Sequence, residues 1–468
     1  MEKPLEIVVV GASGDLAGKK IFPALFSLFC QGLLPEDVSF IGFARSGFTD
    51  AEFRERISRT LTCRYTPGKD SCAGKTEDFL SRTSYRQGKY GDPESYAAMK
   101  DALPSDSNKI FYLSIPPSVF AETAEALGAS GLAGTAGESW TRIVVEKPFG
   151  KDRSGFDELN SALSAVFPES WIYRIDHYLG KEMVRNIQVL RFANEIFKPV
   201  WNSHHIARVE ISWAEDIGVE GRGGYFDNYG IIRDVMQNHL LQMLALIAME
   251  PPPTLDAADI RNRKVELLRA IPPIRPEDAV IGQYTAGKLN GVGHPGYRED
   301  PTVPDDSRTP TFAGITLEVN NERWEDTEFA ITAGKALDKR ESSIRIVFKT
   351  SKHNLFCSLG VCPMPNELVV RIQPNEGVTL KISTKAPGAE MSFHTKELDL
   401  AYSKVFSGDI IPEAYENLIL DVVKGDKSLF IRDDELQAAW DIFTPLLHHL
   451  EENEVEPVPY SFGTFPRI

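Results

Sequence analysis

Residues 5–10 read Leu-Glu-Ile-Val-Val-Val and run directly into Gly11-Ala12-Ser13-Gly14-Asp15-Leu16-Ala17-Gly18. A short β-branched run closed by glycines is the pattern of a buried parallel strand feeding a tight turn and a helix. Parallel strands need crossover connections, so this opening commits the chain to α/β architecture. It also builds an anion site, because the turn's N–H groups and the positive end of the helix dipole would face a pyrophosphate. Gly11, Ala12, Ser13, Gly14, Asp15 and Leu16 are therefore read as cofactor-binding. The spacing Gly11…Gly14…Ala17 departs from G-x-G-x-x-G, and the rival reading is a glycine-rich turn with no ligand.

Further strand-like runs follow at 38–43, 109–115 and 141–146, alternating with helical pattern. This predicts a Rossmann-type α/β coenzyme domain over residues 1–176. The remainder, 177–468, reads differently. Runs at 206–213, 312–320, 343–348, 367–373 and 378–383 follow one another with few helices between them. They predict an α+β domain with a large, mainly antiparallel sheet. Residues 230–249 are rich in Leu, Ile and Met and predict a buried helix. The proline- and glycine-rich stretch 282–310 reads as a structured loop near the site.

The chain has 468 residues, too many for one ordinary core, and its net charge of −16 disfavours non-specific nucleic-acid binding. An acidic chain that binds phosphates must place its cations locally. No apolar run reaches the roughly 18 residues of a membrane span. Residues 1–6 show no signal pattern, which predicts a cytoplasmic protein. The five cysteines, Cys30, Cys63, Cys72, Cys357 and Cys362, are odd in number, and their spacings suggest neither a disulfide framework nor a metal site.

At the end of the second strand, Phe43-Ala44-Arg45-Ser46 offers no acid for a ribose hydroxyl, whereas Arg45 suits a 2′-phosphate. This favours NADP over NAD. Alcohol oxidation by hydride transfer also needs a base for the hydroxyl proton and a group to orient that base. Residues 174–182, Arg-Ile-Asp-His-Tyr-Leu-Gly-Lys-Glu, gather Asp176, His177, Tyr178 and Lys181. Residues 233–241 place Asp234 and His239 on an otherwise apolar helix. A lone histidine there is equally readable as a satisfied core residue.

The glycine turn GASGDLAGKK, EKPFG (146–150), RIDHYLGKE (174–182), the Arg191–Phe197 run, EGRGGYFDNYGIIRDVMQNHLLQML (220–244), GKAL (334–337), RIQPNE (371–376) and AWDIFTPLL (439–447) occur in this order. Together they resemble the glucose-6-phosphate dehydrogenase family along nearly the whole chain. The resemblance implies oxidation of glucose 6-phosphate at carbon 1 to a δ-lactone with NADP, the entry step of the pentose phosphate pathway. It implies His239 as general base, with Asp176 holding its imidazole. His177, Tyr178, Lys181 and Lys335 would hold the 6-phosphate, while Glu215 and Asp234 would bind sugar hydroxyls. Arg340 would assist on the substrate side. Lys147 would lie between cofactor and sugar, its peptide bond to Pro148 being cis. A homodimer or homotetramer joined through the large sheet is also implied. Some members bind a second, structural NADP. Here Ala214, Thr332, Glu341 and Thr379 replace the expected basic and aromatic groups, and only Arg345, Arg371 and Lys381 remain, so that site is expected to be weak or absent. The main rival is another sugar oxidoreductase with an unphosphorylated substrate, which would not need His177, Tyr178 and Lys181 together.

Overall fold

The computed structural model describes residues 3–65, 69–134, 139–351, 353–360 and 362–466. The chain forms two compact units. The first comprises Met1–Lys181, Thr254–Arg261 and Ile410–Gln437, and the second comprises the rest.

The first unit is built on six parallel strands: β1 (Leu5–Val10), β2 (Val38–Ala44), β3 (Thr83–Gln87), β4 (Asn108–Leu113), β5 (Thr141–Glu146) and β6 (Ile172–Ile175). Their order is β3-β2-β1-β4-β5-β6, the arrangement of dinucleotide-binding sheets. Every residue of β1 is buried, as a central strand covered on both faces requires. Phe22, Phe26, Phe29, Phe40, Phe53 and Phe79 fill one side of the core. Phe22 meets Phe53, and Phe26 meets Phe79, edge-on at 5.3 Å, a favoured geometry for rings.

A late segment completes this core. Leu418, Ile419, Val422 and Phe430 join the same apolar cluster. The helix Ala414–Lys424 packs on the helix Phe22–Cys30 and on the turn His177–Gly180. The Arg142 side chain donates to the carbonyls of Val422 and Val423 at its end, where Gly425 takes φ +83° and stops it. The first compact unit thus takes in residues 254–261 and 410–437 besides the amino-terminal stretch. The sequence around 410–437 has ordinary helical pattern, and nothing local tells which sheet it will cover.

The second unit carries a nine-stranded sheet of β7 (Ile206–Ala214), β8 (Ala279–Thr285), β11 (Phe312–Leu317), β12 (Glu328–Gly334), β13 (Glu341–Phe348), β14 (Glu367–Gln373), β15 (Gly377–Lys385), β16 (Phe393–Ala401) and β17 (Val458–Ser461). The order is β16-β15-β14-β13-β7-β12-β11-β8-β17. Only β7–β12 and β8–β17 are parallel, so the sheet is mainly antiparallel, as expected. Within the stretch read as a loop, β9 (Gly287–Leu289) and β10 (Val292–His294) form a hairpin. Its turn residues Asn290 and Gly291 both have positive φ, which is why an Asn-Gly pair sits there.

The helix Leu241–Ala248 is wholly buried. Its last carbonyls have no intrahelical donors and need outside partners. The Arg191 guanidinium donates to Leu246 O at 2.6 Å and Met249 O at 2.7 Å. The indole N–H of Trp201 serves Ile247 O, and that of Trp324 serves Ala248 O. Burial lowers the Arg191 pKa to about 9.

The cysteine reading is overturned. Cys63 is bonded to Cys72 and Cys357 to Cys362, and Cys30 lies outside both bridges. Both bridges close short local loops, and an odd total conceals such pairs from a count.

Candidate active site

Strand register brings the first unit's candidates to one edge. Phe43, Val10, Leu113, Val145 and Arg174 lie in a single row across β2, β1, β4, β5 and β6. Beyond that row the chain leaves the carboxyl ends of the strands, where open α/β sheets bind ligands. The glycine turn, Arg45, Lys147 and Asp176 all emerge there.

In the turn, Gly11 has φ +89°, and a Cβ on it would lie 2.1 Å from Ser114 O. No side chain is tolerated at that position. Gly11 and Ala12 donate their N–H groups to Phe43 O, and Gly14 donates to Gly11 O. Helical structure begins at Asp15, with one widened stretch over Ala17–Ile21. Asp15 is exposed and pairs with Lys19. Arg45 is exposed, and its guanidinium lies 5.3 Å from the centre of the Tyr90 ring, a cation–π contact that fixes the charge beside the turn. The Ser46 and Ser13 hydroxyls are 3.2 Å apart, and Arg56 donates to Ser13 O. These groups fit a dinucleotide with a phosphorylated ribose: a side-chain-free cradle, hydroxyls, and two arginines. Arg56 was not foreseen, since it sits in an ordinary charged helix.

Lys147 follows β5, and the Lys147–Pro148 peptide is cis. Just before it, Glu146 is fully buried. The Tyr112 hydroxyl donates to its Oε1 at 2.5 Å, and Tyr415 is its second hydrogen-bond partner. Burial pushes the Glu146 carboxyl up to about 7, with Asp176 adding to the rise. The two tyrosines and the Lys147 charge oppose it.

Glu146 pairs with Ile175, so Lys147 and Asp176 leave adjacent strands side by side. Asp176 starts the turn His177–Gly180 and accepts the Tyr178 N–H at 2.9 Å. The His177 ring lies parallel to that of Tyr415 at 6.2 Å, and the Lys181 ammonium is 4.8 Å from the Tyr178 ring centre. Gly180 lets the helix Ala414–Lys424 approach, since a Cβ there would meet Ala414 O at 2.3 Å. Asn417 donates to Gly180 O. Tyr112 and Tyr415 thus hold Glu146, and Tyr415 also faces the His177 ring of the turn. No spacing in the sequence connects these three.

In the second unit Gly334 pairs with Ala214 on parallel strands, so Lys335 and Glu215 emerge together. They form an ion pair at 2.6 Å. The Lys335 ammonium also lies 5.4 Å from the ring centres of Trp213 and Phe226. Asp234 is half-buried and His239 buried on the segment Ile232–Leu240. Arg340 stands exposed between β12 and β13. The cations left at the second-dinucleotide position are engaged within the sheet. Arg345 pairs with Glu210 and Glu367, Arg371 with Asp399, and Lys381 with Glu367.

A sheet of this order, with a glycine turn and cations at its carboxyl strand ends, is the architecture of nicotinamide-dependent oxidoreductases. Residues 8–186 match the glucose-6-phosphate dehydrogenase NAD binding domain, and residues 188–466 match the C-terminal domain of the same family. The chain belongs to the glucose-6-phosphate dehydrogenase family. It is 48% identical over 471 residues to the chloroplastic glucose-6-phosphate 1-dehydrogenase 1 of Arabidopsis thaliana, covering 99% of this chain and 81% of that protein. A cytoplasmic relative from the same plant, glucose-6-phosphate 1-dehydrogenase 5, is 47% identical, with 98% and 89% covered. A solved glucose-6-phosphate dehydrogenase in complex with its substrate glucose-6-phosphate superposes with TM-score 0.93 at 42% identity, over 100% of this chain and 96% of that one. The Mycobacterium avium enzyme gives 0.85 at 33%, over 99% and 95%.

Proposed function

We infer that this chain oxidises glucose 6-phosphate at carbon 1 to 6-phosphoglucono-δ-lactone with NADP+ as acceptor. The observation that carries this reading is the placement of Lys147 and the Asp176–Lys181 turn on adjacent strand ends, on the same edge as the glycine turn. Bound NADP+ supplies the acceptor for the hydride that leaves carbon 1. The protein's own groups do the rest. His239 takes the proton of the carbon 1 hydroxyl, and Asp176 orients the imidazole and stabilises its charge. His177, Tyr178, Lys181 and Lys335 hold the 6-phosphate, and this fixes carbon 1 for transfer. Glu215 and Asp234 take sugar hydroxyls, Arg340 assists from the substrate side, and Lys147 stands between sugar and cofactor. Arg45 reads the 2′-phosphate.

A homodimer or homotetramer is part of the same reading. Leu398 and Leu400 on β16 are exposed at 57% and 44%, apolar surface suited to an isologous contact through the sheet. A cytoplasmic location is proposed with it, in keeping with the cytoplasmic relative. No helix of the described residues is long and apolar enough to cross a membrane.

The test is NADPH formation from glucose 6-phosphate and from glucose, by the native chain and by His239→Asn. Only the phosphorylated sugar should be turned over efficiently, and the variant should lose ~10²–10⁴-fold in kcat. A variant within tenfold of the native rate, or equal use of glucose, would refute the assignment.

A further inference from the structure

The segment Ile232–Leu240 is not wound as an α-helix. Its hydrogen bonds run to the carbonyl five residues back, a π-type winding sustained over nine residues. Such winding is rare and clusters at functional sites, so something must hold it. Its geometric consequence is specific. Asp234 and His239 are five positions apart, and at the α-helical rate of roughly 100° per residue they would point about 140° away from each other. The wider π-type winding, closing its hydrogen bonds five residues back, brings the two towards one face instead.

The side chain that satisfies this turn is Asn238, itself buried at 9% exposure. Its Nδ2 donates to the carbonyls of Arg233 and Asp234, both at 3.1 Å, and its Oδ1 accepts the backbone N–H of His239 at 2.6 Å. One amide thus closes three backbone groups around the widened turn. The demand is for two donors and one acceptor on a short, planar group. Aspartate has no donor, leucine has neither, and glutamine is one methylene too long.

We propose that Asn238 is a positioning residue for the reaction, holding the wide turn that aligns His239 with Asp234. The proposal rests on His239 being the base. Asn238 touches neither substrate nor cofactor in this role; it acts through the backbone that carries the imidazole. A displaced base slows proton abstraction while the phosphate clamp, on other elements, is unaffected.

The experiment compares the native full chain with Asn238→Asp and Asn238→Ser, measuring kcat, KM for glucose 6-phosphate, and the primary isotope effect with substrate deuterated at carbon 1. Displacement on the order of 1 Å predicts a tenfold to hundredfold fall in kcat. KM should rise less than kcat falls, because the phosphate clamp lies on other elements and only Asp234 shares the displaced turn. The isotope effect should rise as the chemical step becomes limiting. A folded variant with native kcat overturns the proposal, and so does a fall in kcat with an unchanged isotope effect, which is what loss of folded protein produces. Failure of both variants to fold also overturns it, making Asn238 a residue of the fold alone. His239→Asn is the control: if that variant stays active the base assignment fails, whereas if it is dead and the Asn238 variants are native-like only the present proposal falls.

Discussion

Glu146 is a carboxyl sealed inside the first unit with two phenols for company, and its replacement by glutamine should change stability in a pH-dependent way. Its folded pKa, pushed up to about 7 chiefly by burial, lies above the ordinary value of 4.5. A carboxyl raised in the folded state binds more protons there than in the unfolded chain. Stability from this group is therefore complete below about pH 4.5 and is lost as pH rises through about 7. At ~1.4 kcal/mol per unit, the full loss is ~3 kcal/mol, of which ~2 kcal/mol falls between about pH 5.5 and 8.5. Glutamine keeps the shape and does not titrate. Glu146→Gln should thus gain ~2 kcal/mol on the native chain across that interval, or ~4–8 °C in the melting of a unit of this size. Calorimetry of both proteins at the two pH values measures it. A difference in melting temperature that is the same at both pH values would refute the account of Glu146 as a buried, upshifted acid.

Arg45→Ala removes the guanidinium parked over Tyr90. The Kd for NADP should rise ~10–100-fold, as expected for one charge-assisted contact, with NAD binding within twofold by titration; equal losses would reassign the 2′-phosphate site. Arg191→Met strands the carbonyls of Leu246 and Met249 in the core. It should cost ~2–4 kcal/mol in denaturant unfolding, partly offset by no longer burying a charge; a cost under about 0.5 kcal/mol would show the helix end to be satisfied otherwise.

Much of the first sheet is legible because its strands are continuous apolar runs. Leu5–Val10 and Thr141–Glu146 fall where the sequence places them. The edge strand Thr83–Gln87 is too polar to announce itself. The Asn290-Gly291 pair is a hairpin signal that the surrounding prolines and glycines obscure. In the site, RIDHYLGKE carries its own cluster, since strand and turn hold those residues close in sequence. Glu146 with Tyr112 and Tyr415 is invisible because its members are up to hundreds of residues apart and look like core. Asn238 is invisible for another reason. A π-type turn has no periodicity signature distinct from the α-helical pattern it interrupts.

The return of residues 410–437 to the first unit matters while the chain is being made. A ribosome that has released Lys181 must add 256 more residues before Gln437 follows. At roughly 5–20 residues per second that is about 13–50 s. Throughout that interval the aromatic wall beneath Leu418, Ile419 and Val422 waits without its cover, a natural target for chaperones. Any message cut short before that point yields a nascent sheet bearing the whole glycine turn, yet lacking the lid of apolar side chains that would let it close.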